Sequence, residues 1–432
     1  MRAAEIPRIG FRLLPSAFCL LPSAFCRLPS AACLLPSAAC LLPPVACLPY
    51  HLDMGPFAYR SWVEISLKQI AGNFQAIRDV VGPGVEVMPV VKADAYRHGA
   101  IEVSRTLTSV GAQWLAVSNV EEGVILRESG ITARILVMAD FLPAERSSLL
   151  EYNLTPVIHA LDDIGEWDRM AAGKNNPAPY HLKIDTGMGR LGTRAPASDI
   201  LKAIGAARHA KLEGLMTHLA SSANYATSQT EEQMRAFETL CASLAKAGVH
   251  PPLLHLASST PVAYGRREAW KRMVRPGHAI YGYISTVAKG TAPLRQLEVR
   301  PALTWKAAVL AVKDLPAGAL VGYGGIFRAP QPMRIAVLAA GYADGIPHRL
   351  SNKGRVIAKG QFAPIIGAVS MDLTTIDITN CPPVEVGDSV TLLGSEGGIS
   401  IDAQQMARVA GTISYSVLCG IHARVKRIYV DS

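Results

Sequence analysis

Short apolar runs alternate with amphipathic stretches between residues 66 and 281. Runs of four to eight apolar residues, bounded by glycine and polar residues, are typical of strands buried on both faces. Helical patterns separate them, beginning with an amphipathic helix over 66–81 and including a long helix over 231–247 that ends at Gly248. The eight predicted strands are 85–92, 113–119, 134–139, 155–159, 180–188, 211–219, 252–259 and 273–281.

Eight strands with room for a helix after each of the first seven predict an α/β fold, a closed (β/α)8 TIM-like barrel. A doubly wound open sheet is the competing arrangement. Beyond residue 298 the pattern changes to β-branched runs broken by glycine and proline, as in 334–340, 355–360, 364–378 and 389–393. This pattern predicts a C-terminal β-rich domain over 298–432, following a barrel over 54–297.

Residues 1–53 form a separate, low-complexity segment with a seven-residue repeat that begins as LLPSAFC at 13–19. A proline in every copy argues against a continuous helix, and therefore against both a coiled coil and a membrane span. A secretory signal is an open alternative, because Arg2, Arg8 and Arg12 precede the apolar repeat. We interpret the segment as a disordered tail or as a translated repeat upstream of a true start at Met54.

Composition narrows the class of protein further. The chain has 432 residues, half of them hydrophobic, which is enough to bury one large or two ordinary cores. Its net charge of +9 is spread out without a Lys/Arg run, so we expect no nucleic-acid groove, and an anionic small molecule is enough to explain the charge. Outside the repeat only Cys241, Cys381 and Cys419 remain, which predicts a reducing, cytoplasmic location and no metal site.

The apolar run at 87–91 ends on Lys92, which places this lysine at the carboxyl end of a strand. In a barrel that end carries the chemistry, and a lysine in a partly dry pocket can form a Schiff base. A lysine that merely extends its amine to solvent from a strand end is the alternative. Lys183 and Arg190 belong to the fifth strand and its loop, His218 ends the sixth strand and Ser259 the seventh, and Arg275 lies in the eighth. All would face the same mouth.

Several segments resemble the alanine racemase family, in matching order from about residue 56 to the C-terminus. They include VKADAY at 91–96 followed by His98 and Gly99, HLKIDTGMGRLG at 181–192, HLASSTP at 255–261, VRPG at 274–277 and VGYGG at 321–325. The resemblance implies a pyridoxal 5'-phosphate enzyme that interconverts L-alanine and D-alanine and supplies D-alanine for peptidoglycan. It also implies a homodimer with shared active sites.

The resemblance assigns the two catalytic bases to Lys92, which also carries the cofactor, and to Tyr323, supplied by the partner subunit. Arg190 would meet the cofactor's phenolic oxygen and the substrate carboxylate, a task suited to a guanidinium fork. Lys183 matches the family's carbamylated lysine, and Met371 matches a residue whose backbone contacts substrate.

The remaining matches surround the cofactor. His218 would support Arg275, and Arg275 would face the pyridine nitrogen; since an arginine does not give up its proton, that nitrogen stays unprotonated. We also expect Ser259 to be a helix N-cap and a phosphate donor. The residues matched to the phosphate cup are Tyr96, Ser259, Gly277, the backbone of His278, and Tyr415.

Four positions depart from the family pattern, namely Arg97, Ser258, His278 and Ala368, and none of them is one of the two bases. A broad-specificity amino-acid racemase is the nearest alternative, and a decarboxylase of the same two-domain plan would have no use for the Tyr323 segment. A non-catalytic pyridoxal-phosphate-binding protein would match Lys92 but lack residues 300–432.

Overall fold

The structure is a computed structural model that describes residues 59–139, 141–173, 177–287, 289–291 and 293–431. The repeat predicted for residues 1–53 lies outside this range. The strands are β1 (Ser61–Ser66), β2 (Glu86–Val87), β3 (Trp114–Val117), β4 (Arg134–Val137), β5 (Thr155–Ile158), β6 (Ala178–Lys183), β7 (Ala210–Met216), β8 (Leu253–His255), β9 (Met273–Val274), β10 (Leu303–Leu315), β11 (Leu320–Val321), β12 (Phe327–Arg328), β13 (Met333–Leu338), β14 (Arg355–Ala358), β15 (Gln361–Pro364), β16 (Thr374–Asp377), β17 (Ser389–Glu396), β18 (Ile399–Ile401) and β19 (Lys426–Val430).

The helices complete the set of described elements, together with three short 3-10 turns at Arg267–Ala269, Tyr323–Gly325 and His348–Leu350. They are α1 (Leu67–Val81), α2 (Lys92–Tyr96), α3 (Ala100–Ser109), α4 (Val120–Glu128), α5 (Arg146–Glu151), α6 (Asp162–Ala171), α7 (Ala197–Ala206), α8 (Gln229–Lys246), α9 (Ser259–Ala263), α10 (Ala403–Ala410) and α11 (Ser414–Cys419). No helix in the described ranges is long and apolar enough to cross a bilayer.

Strands β2 to β9 form a closed ring of eight parallel strands. β3 to β8 pair consecutively in one sheet, and β2 pairs with β9. A bridge between Val90 and Ala116 joins the β2 segment to β3. On the other side, the Arg272 N–H donates to the Leu254 carbonyl and so joins β9 to β8. This ring of strands confirms the predicted (β/α)8 barrel. Its strands are buried on both faces because helices cover the ring from outside.

The strand and helix bounds differ from the sequence prediction mainly at the first and last barrel strands. β2 and β9 each have two residues, and the predicted strand 85–92 ends well before Lys92. The opening helix α1 begins after Ser66, whose hydroxyl oxygen accepts the Gln69 N–H as an N-cap. The long predicted helix 231–247 is α8, Gln229–Lys246.

A second, mostly antiparallel sheet of nine strands lies beyond the barrel, as the β-rich pattern predicts. Its longest strand is β10, which pairs with β1, β13 and β17. β1 belongs to this sheet although it precedes the barrel in the chain, and it pairs in parallel with β19. The sequence prediction missed α10 and α11, and α11 packs against α2 at the mouth of the barrel. This packing brings C-terminal residues to the strand ends of the barrel.

Candidate active site at the carboxyl ends of the barrel strands

A cavity of about 640 Å³ opens where the barrel strands end, a volume typical of a small-molecule site. It is lined by every site residue predicted from the sequence except Tyr323 and Met371. These are Lys92, Tyr96, Lys183, Arg190, His218, Ser259, Arg275, Gly277, His278 and Tyr415. Residues from five strand ends and from α11 therefore meet at one mouth, although they are spread over more than 300 residues of chain.

Lys92 does not end a strand, as the apolar run predicts, but opens a left-handed turn. The five residues Ala93 to Arg97 have φ angles between 52° and 68°, and none of them is glycine. Each L-residue in this region costs roughly 1–2 kcal/mol, so the surrounding structure must hold the turn in place. Such stored strain is typical of segments that position a functional side chain.

Hydrogen bonds tie down both ends of this turn. The Glu122 carboxylate accepts the Ala93 N–H at 2.6 Å with one oxygen and the Ser118 N–H at 2.7 Å with the other. The Asp94 carboxylate accepts the Ala100 N–H at 2.8 Å. Glu122 was not identified from the sequence, because an acidic residue in the first turn of α4 looks like an ordinary helix-dipole partner. It links the Lys92 segment to the loop after β3.

Four cationic side chains line the cavity, and none of its described lining residues is Asp or Glu. Burial and the neighbouring Arg190 and Arg275 lower the pKa of Lys183 to about 8, with Lys92 acting in the same direction. A partly buried cluster of like charge is costly unless an anion neutralises it. The cavity is therefore electrostatically suited to an anionic ligand, as the charge of the chain also suggests.

A tight loop after β6 carries Arg190. The Asp185 carboxylate accepts three backbone N–H groups, from Gly187, Met188 and Gly189, and also pairs with Arg194 at 2.8 Å. Although burial raises the pKa of Asp185, these donors outweigh it and lower the pKa to about 2. The loop is thus fixed by an ionised carboxylate, and Arg190 is left exposed at the cavity.

Arg275, directly after β9, is almost fully buried and donates to carbonyls at the ends of two other strands, β7 and β8. Its terminal nitrogens reach the carbonyls of Thr217 at 2.7 Å, His255 at 2.7 Å and Leu256 at 3.2 Å. One of them also lies 3.4 Å from Nδ1 of His218. Burial and then Arg275 lower the pKa of His218 to about 3, so this imidazole is neutral.

Ser259 is the first residue of α9, with Ser258 at the N-cap position and no side-chain capping bond there. The predicted N-cap role of Ser259 is therefore wrong. Its hydroxyl oxygen instead accepts the N–H groups of Gly277 and Ala279, each at 3.1 Å. This arrangement joins the loops after β8 and β9 and leaves the Ser259 hydroxyl hydrogen as a donor.

Aromatic rings pack along the same wall of the cavity. Tyr96 packs against Tyr281 at 4.6 Å between centroids, and His278 stacks on Tyr415 at 4.0 Å. Burial raises the pKa of Tyr96 and of Tyr415, so both phenols remain protonated donors. A Cβ at Gly277 would lie 2.5 Å from the Tyr96 hydroxyl oxygen, so only glycine permits this close approach.

Tyr323 and Met371 lie in the β-rich half and do not line the cavity of their own chain. Tyr323 is 79% exposed, in the turn between β11 and β12. Met371 is 54% exposed. Its carbonyl accepts the Ala343 N–H at 2.9 Å, and a Cβ at Gly341 would lie 2.4 Å from that carbonyl oxygen. The structure therefore separates these two predicted site residues from the others within one chain.

Sequence reasoning also missed polar residues that support the lining from behind. Gln233 on α8 donates to the His218 carbonyl at 3.0 Å and accepts the Ala220 N–H at 2.9 Å. His181 and His255 lie below the lining, where only the closed ring brings them together. The described residues contain no group of three or more His, Cys, Asp or Glu side chains placed to hold a metal ion.

Comparison with known proteins identifies the two halves of the chain. Residues 65–285 match the family model described as alanine racemase, N-terminal domain, and residues 302–429 match alanine racemase, C-terminal domain. An alanine racemase of Halothermothrix orenii is 39% identical over 370 residues, which cover 85% of this chain and 96% of that protein.

Solved structures of alanine racemases have a similar fold. The alanine racemase of Bacillus anthracis with bound L-Ala-P has a TM-score of 0.79 and 32% identity, covering 87% of this chain and 96% of that one. That of Bartonella henselae with covalently bound pyridoxal phosphate has a TM-score of 0.75 and 26% identity, covering 86% and 99%.

The fold and these matches define the class of protein as a racemase, an enzyme of the isomerase class. Within that class, the chain belongs to the alanine racemase family, because the two family models together match most of its length.

Proposed function

We propose that this chain is a pyridoxal 5'-phosphate-dependent racemase that interconverts L-alanine and D-alanine by a two-base mechanism. The observation that carries the proposal is the cavity itself. Lys92 lines it together with Lys183, Arg190 and Arg275, and none of its described lining residues carries a carboxylate. Such a site suits a cofactor with a phosphate and an aldehyde that a lysine can hold, together with a substrate that carries a carboxylate. When bound, this cofactor supplies an electron sink for negative charge at the α carbon of an amino acid.

The residues present fit that cofactor. Lys92 would hold it covalently, and the protonated phenols of Tyr96 and Tyr415, with the Ser259 hydroxyl, would donate to its phosphate. Gly277 leaves room there, since a Cβ would strike the Tyr96 hydroxyl. The backbone of His278 would complete the phosphate cup, and Arg190 would bind the substrate carboxylate with its guanidinium fork.

Arg275 would face the ring nitrogen of the cofactor. A guanidinium is a donor only and holds its protons firmly, so Arg275 leaves that nitrogen without a proton. His218, held neutral beside it, supports the same side of the site. By leaving that nitrogen unprotonated, Arg275 would favour return of the proton to the α carbon, which racemisation requires.

Lys92 and Tyr323 would serve the two faces of the substrate. A proton taken from one face must be replaced on the other, so one side chain on each face is needed. Tyr323 lies outside the cavity of its own chain and is 79% exposed, which fits a role in the cavity of a partner subunit. Exposed apolar side chains of this kind often mark an interface between subunits. The same half exposes Leu320, Ile326, Tyr342, Met371 and Leu373.

The active enzyme would accordingly be a homodimer in which Met371 also reaches the partner's substrate through its backbone. Lys183 would carry a carbamate, since its lowered pKa favours the neutral amine that reacts with carbon dioxide, and the carbamate would hold Arg190. We further propose a cytoplasmic location, D-alanine supply for peptidoglycan, a barrel over 54–297 and a β-rich domain over 298–432.

Two pairs of variants test the bases. Lys92→Ala should abolish the visible absorbance of the bound cofactor and all activity, whereas Lys202→Ala, which removes an exposed lysine of α7, should change neither. Tyr323→Phe should retain the absorbance but lose exchange of the α hydrogen with solvent deuterium when the reaction starts from L-alanine. Tyr152→Phe, which removes a phenol outside the cavity lining, is its control. Full activity of Tyr323→Phe on both enantiomers would refute the two-base mechanism.

A broad-specificity racemase is the second candidate, because the two bases act only on the α carbon and do not read the side chain. Measuring the rate of racemisation for larger amino acids beside that for alanine separates the two functions. A preference for alanine of about 100-fold or more over these substrates supports the first.

A further inference from the structure

A line of five polar residues runs through the barrel from the cavity to the amino end of the strands. Arg275 Nη1 lies 2.9 Å from Nδ1 of His255, and Nε2 of His255 lies 2.8 Å from Nδ1 of His181. Nε2 of His181 then faces a Glu213 oxygen at 3.6 Å. The Glu213 carboxylate is held by the Arg134 guanidinium fork at 2.7 and 2.6 Å.

The chemistry of these groups fixes the direction of each hydrogen bond. A guanidinium only donates, so His255 accepts at Nδ1 and carries its proton on Nε2. That proton is donated to Nδ1 of His181, which therefore carries its own proton on Nε2 and points it at Glu213. Both histidines are thus neutral, and every proton along the line is directed from Arg275 towards the carboxylate.

Burial and charge agree with this assignment. Both rings are fully buried, and burial lowers the pKa of His255 and of His181. Although burial raises the pKa of Glu213, the nearby His181 ring, 3.6 Å away, and the hydrogen-bonded Arg134 guanidinium outweigh it and lower the pKa to about 2. The Glu213 carboxylate is therefore ionised and can accept a proton donated by His181 Nε2.

The barrel makes specific room for the line. A Cβ at Gly214 would lie 2.4 Å from Nδ1 of His181, so a side chain at this position would displace the ring. Trp114 packs against the His181 ring at 5.5 Å and lies under the Arg134 guanidinium at 3.9 Å. None of these residues except Arg275 lines the cavity.

We propose that Glu213 is a positioning residue for Arg275 and acts through the tautomers of His181 and His255. With the carboxylate in place, His255 presents a lone pair to Arg275. With its proton on Nδ1 instead, His255 would present an N–H to a guanidinium that can only donate, and Arg275 would tilt away from it. The effect on Arg275 as a partner of the cofactor ring rests on the proposed function. The assigned tautomers of His181 and His255 do not depend on that function.

The test is nitrogen NMR of the full chain labelled at histidine with ¹⁵N, recorded before any cofactor is added. His181→Asn and His255→Asn assign the two rings by loss of their signals. We expect both rings of the native chain to be neutral with the proton on Nε2, and Glu213→Gln to give His181 a mixture of tautomers. Glu231→Gln, which neutralises a carboxylate paired with Arg266 outside the line, should leave both signals unchanged.

Two results would overturn the proposal: a proton on Nδ1 of either ring in the native chain, which needs no variant to observe, or unchanged tautomers in Glu213→Gln. In the loaded enzyme, Glu213→Gln should raise the ratio of transamination to racemisation about three- to tenfold, the order expected for a lost hydrogen bond. Gly214→Ala should do the same by displacing His181. A chain that binds no cofactor refutes the proposed function and leaves the NMR result as the test of Glu213.

Discussion

Removal of carbon dioxide is expected to destabilise the folded chain through Lys183. This side chain is 5% exposed and faces Arg190, Arg275 and Lys92. Without a carbamate it adds a cation to a cationic cavity. Because burial and these neighbours lower its pKa to about 8, roughly half of the amine is neutral at a pH of about 8 and available to react with carbon dioxide. The carbamate that forms is an anion, and it would attract the arginines that the ammonium repels.

The magnitude follows from the pKa of Lys183. In the unfolded chain the pKa is near 10.5, so the folded value lies about 2.5 pH units lower, which at roughly 1.36 kcal/mol per unit is at most about 3.4 kcal/mol. Since the cavity admits solvent, screening reduces this to about 1–2 kcal/mol. A lysine with a lowered folded pKa destabilises the fold fully below a pH of about 8, and the penalty disappears as the pH rises through 10.5.

Thermal unfolding of the cofactor-free chain, with and without bicarbonate at equal pH and ionic strength, measures this effect. We expect bicarbonate to raise the Tm of the native chain by about 1–4 °C and to leave Lys183→Ala unchanged. Lys202→Ala, in which an exposed lysine is removed, should respond like the native chain. Carbon NMR with ¹³C-labelled bicarbonate should show a carbamate signal in every form except Lys183→Ala. An equal rise of Tm in Lys183→Ala, or the absence of that signal, would refute the reasoning.

Three further substitutions probe the backbone of the site. Gly277→Ala should weaken cofactor binding about 10- to 100-fold in an equilibrium titration, because its Cβ would lie 2.5 Å from the Tyr96 hydroxyl oxygen. Gly341→Ala should raise KM for alanine and leave the dissociation constant for the cofactor unchanged, because its Cβ would displace the backbone carbonyls of Ser370 and Met371. Arg97→Gly should raise the urea midpoint, by about 1 kcal/mol in the free energy of unfolding, since φ at this position is 68°; a lower midpoint would show that the arginine side chain contributes more than the strain costs.

The barrel was predictable because parallel strands buried on both faces leave continuous apolar runs in the sequence. The same runs predicted where most site residues lie, since a polar residue that ends such a run has only the carboxyl mouth of the barrel to face. His218 and Ser259 were predicted in this way, and both line the cavity. The bounds of β2 and β9 were not predictable, because an apolar residue beside a strand looks the same as one inside it.

Other features depend on contacts between residues that are distant in sequence. Local propensity favours a right-handed turn after Lys92, but the Glu122 carboxylate and the packing of α11 stabilise a left-handed one. His181 and His255 are polar positions in ordinary strands until the ring closes and places their nitrogens 2.8 Å apart. Sequence patterns carry no record of such distances, because each depends on the register of several strands at once.

The sequence by itself determined the class of fold, the family and the side chains gathered at one mouth, because apolar periodicity and short motifs are local properties. Only the tertiary structure decided the left-handed course of the Lys92 turn, the direction of the protons between Arg275 and Glu213, and the separation of Tyr323 from the cavity of its own chain. These arise from hydrogen bonds and close packing between elements that are far apart in the chain, and that geometry exists only once the ring of strands has closed.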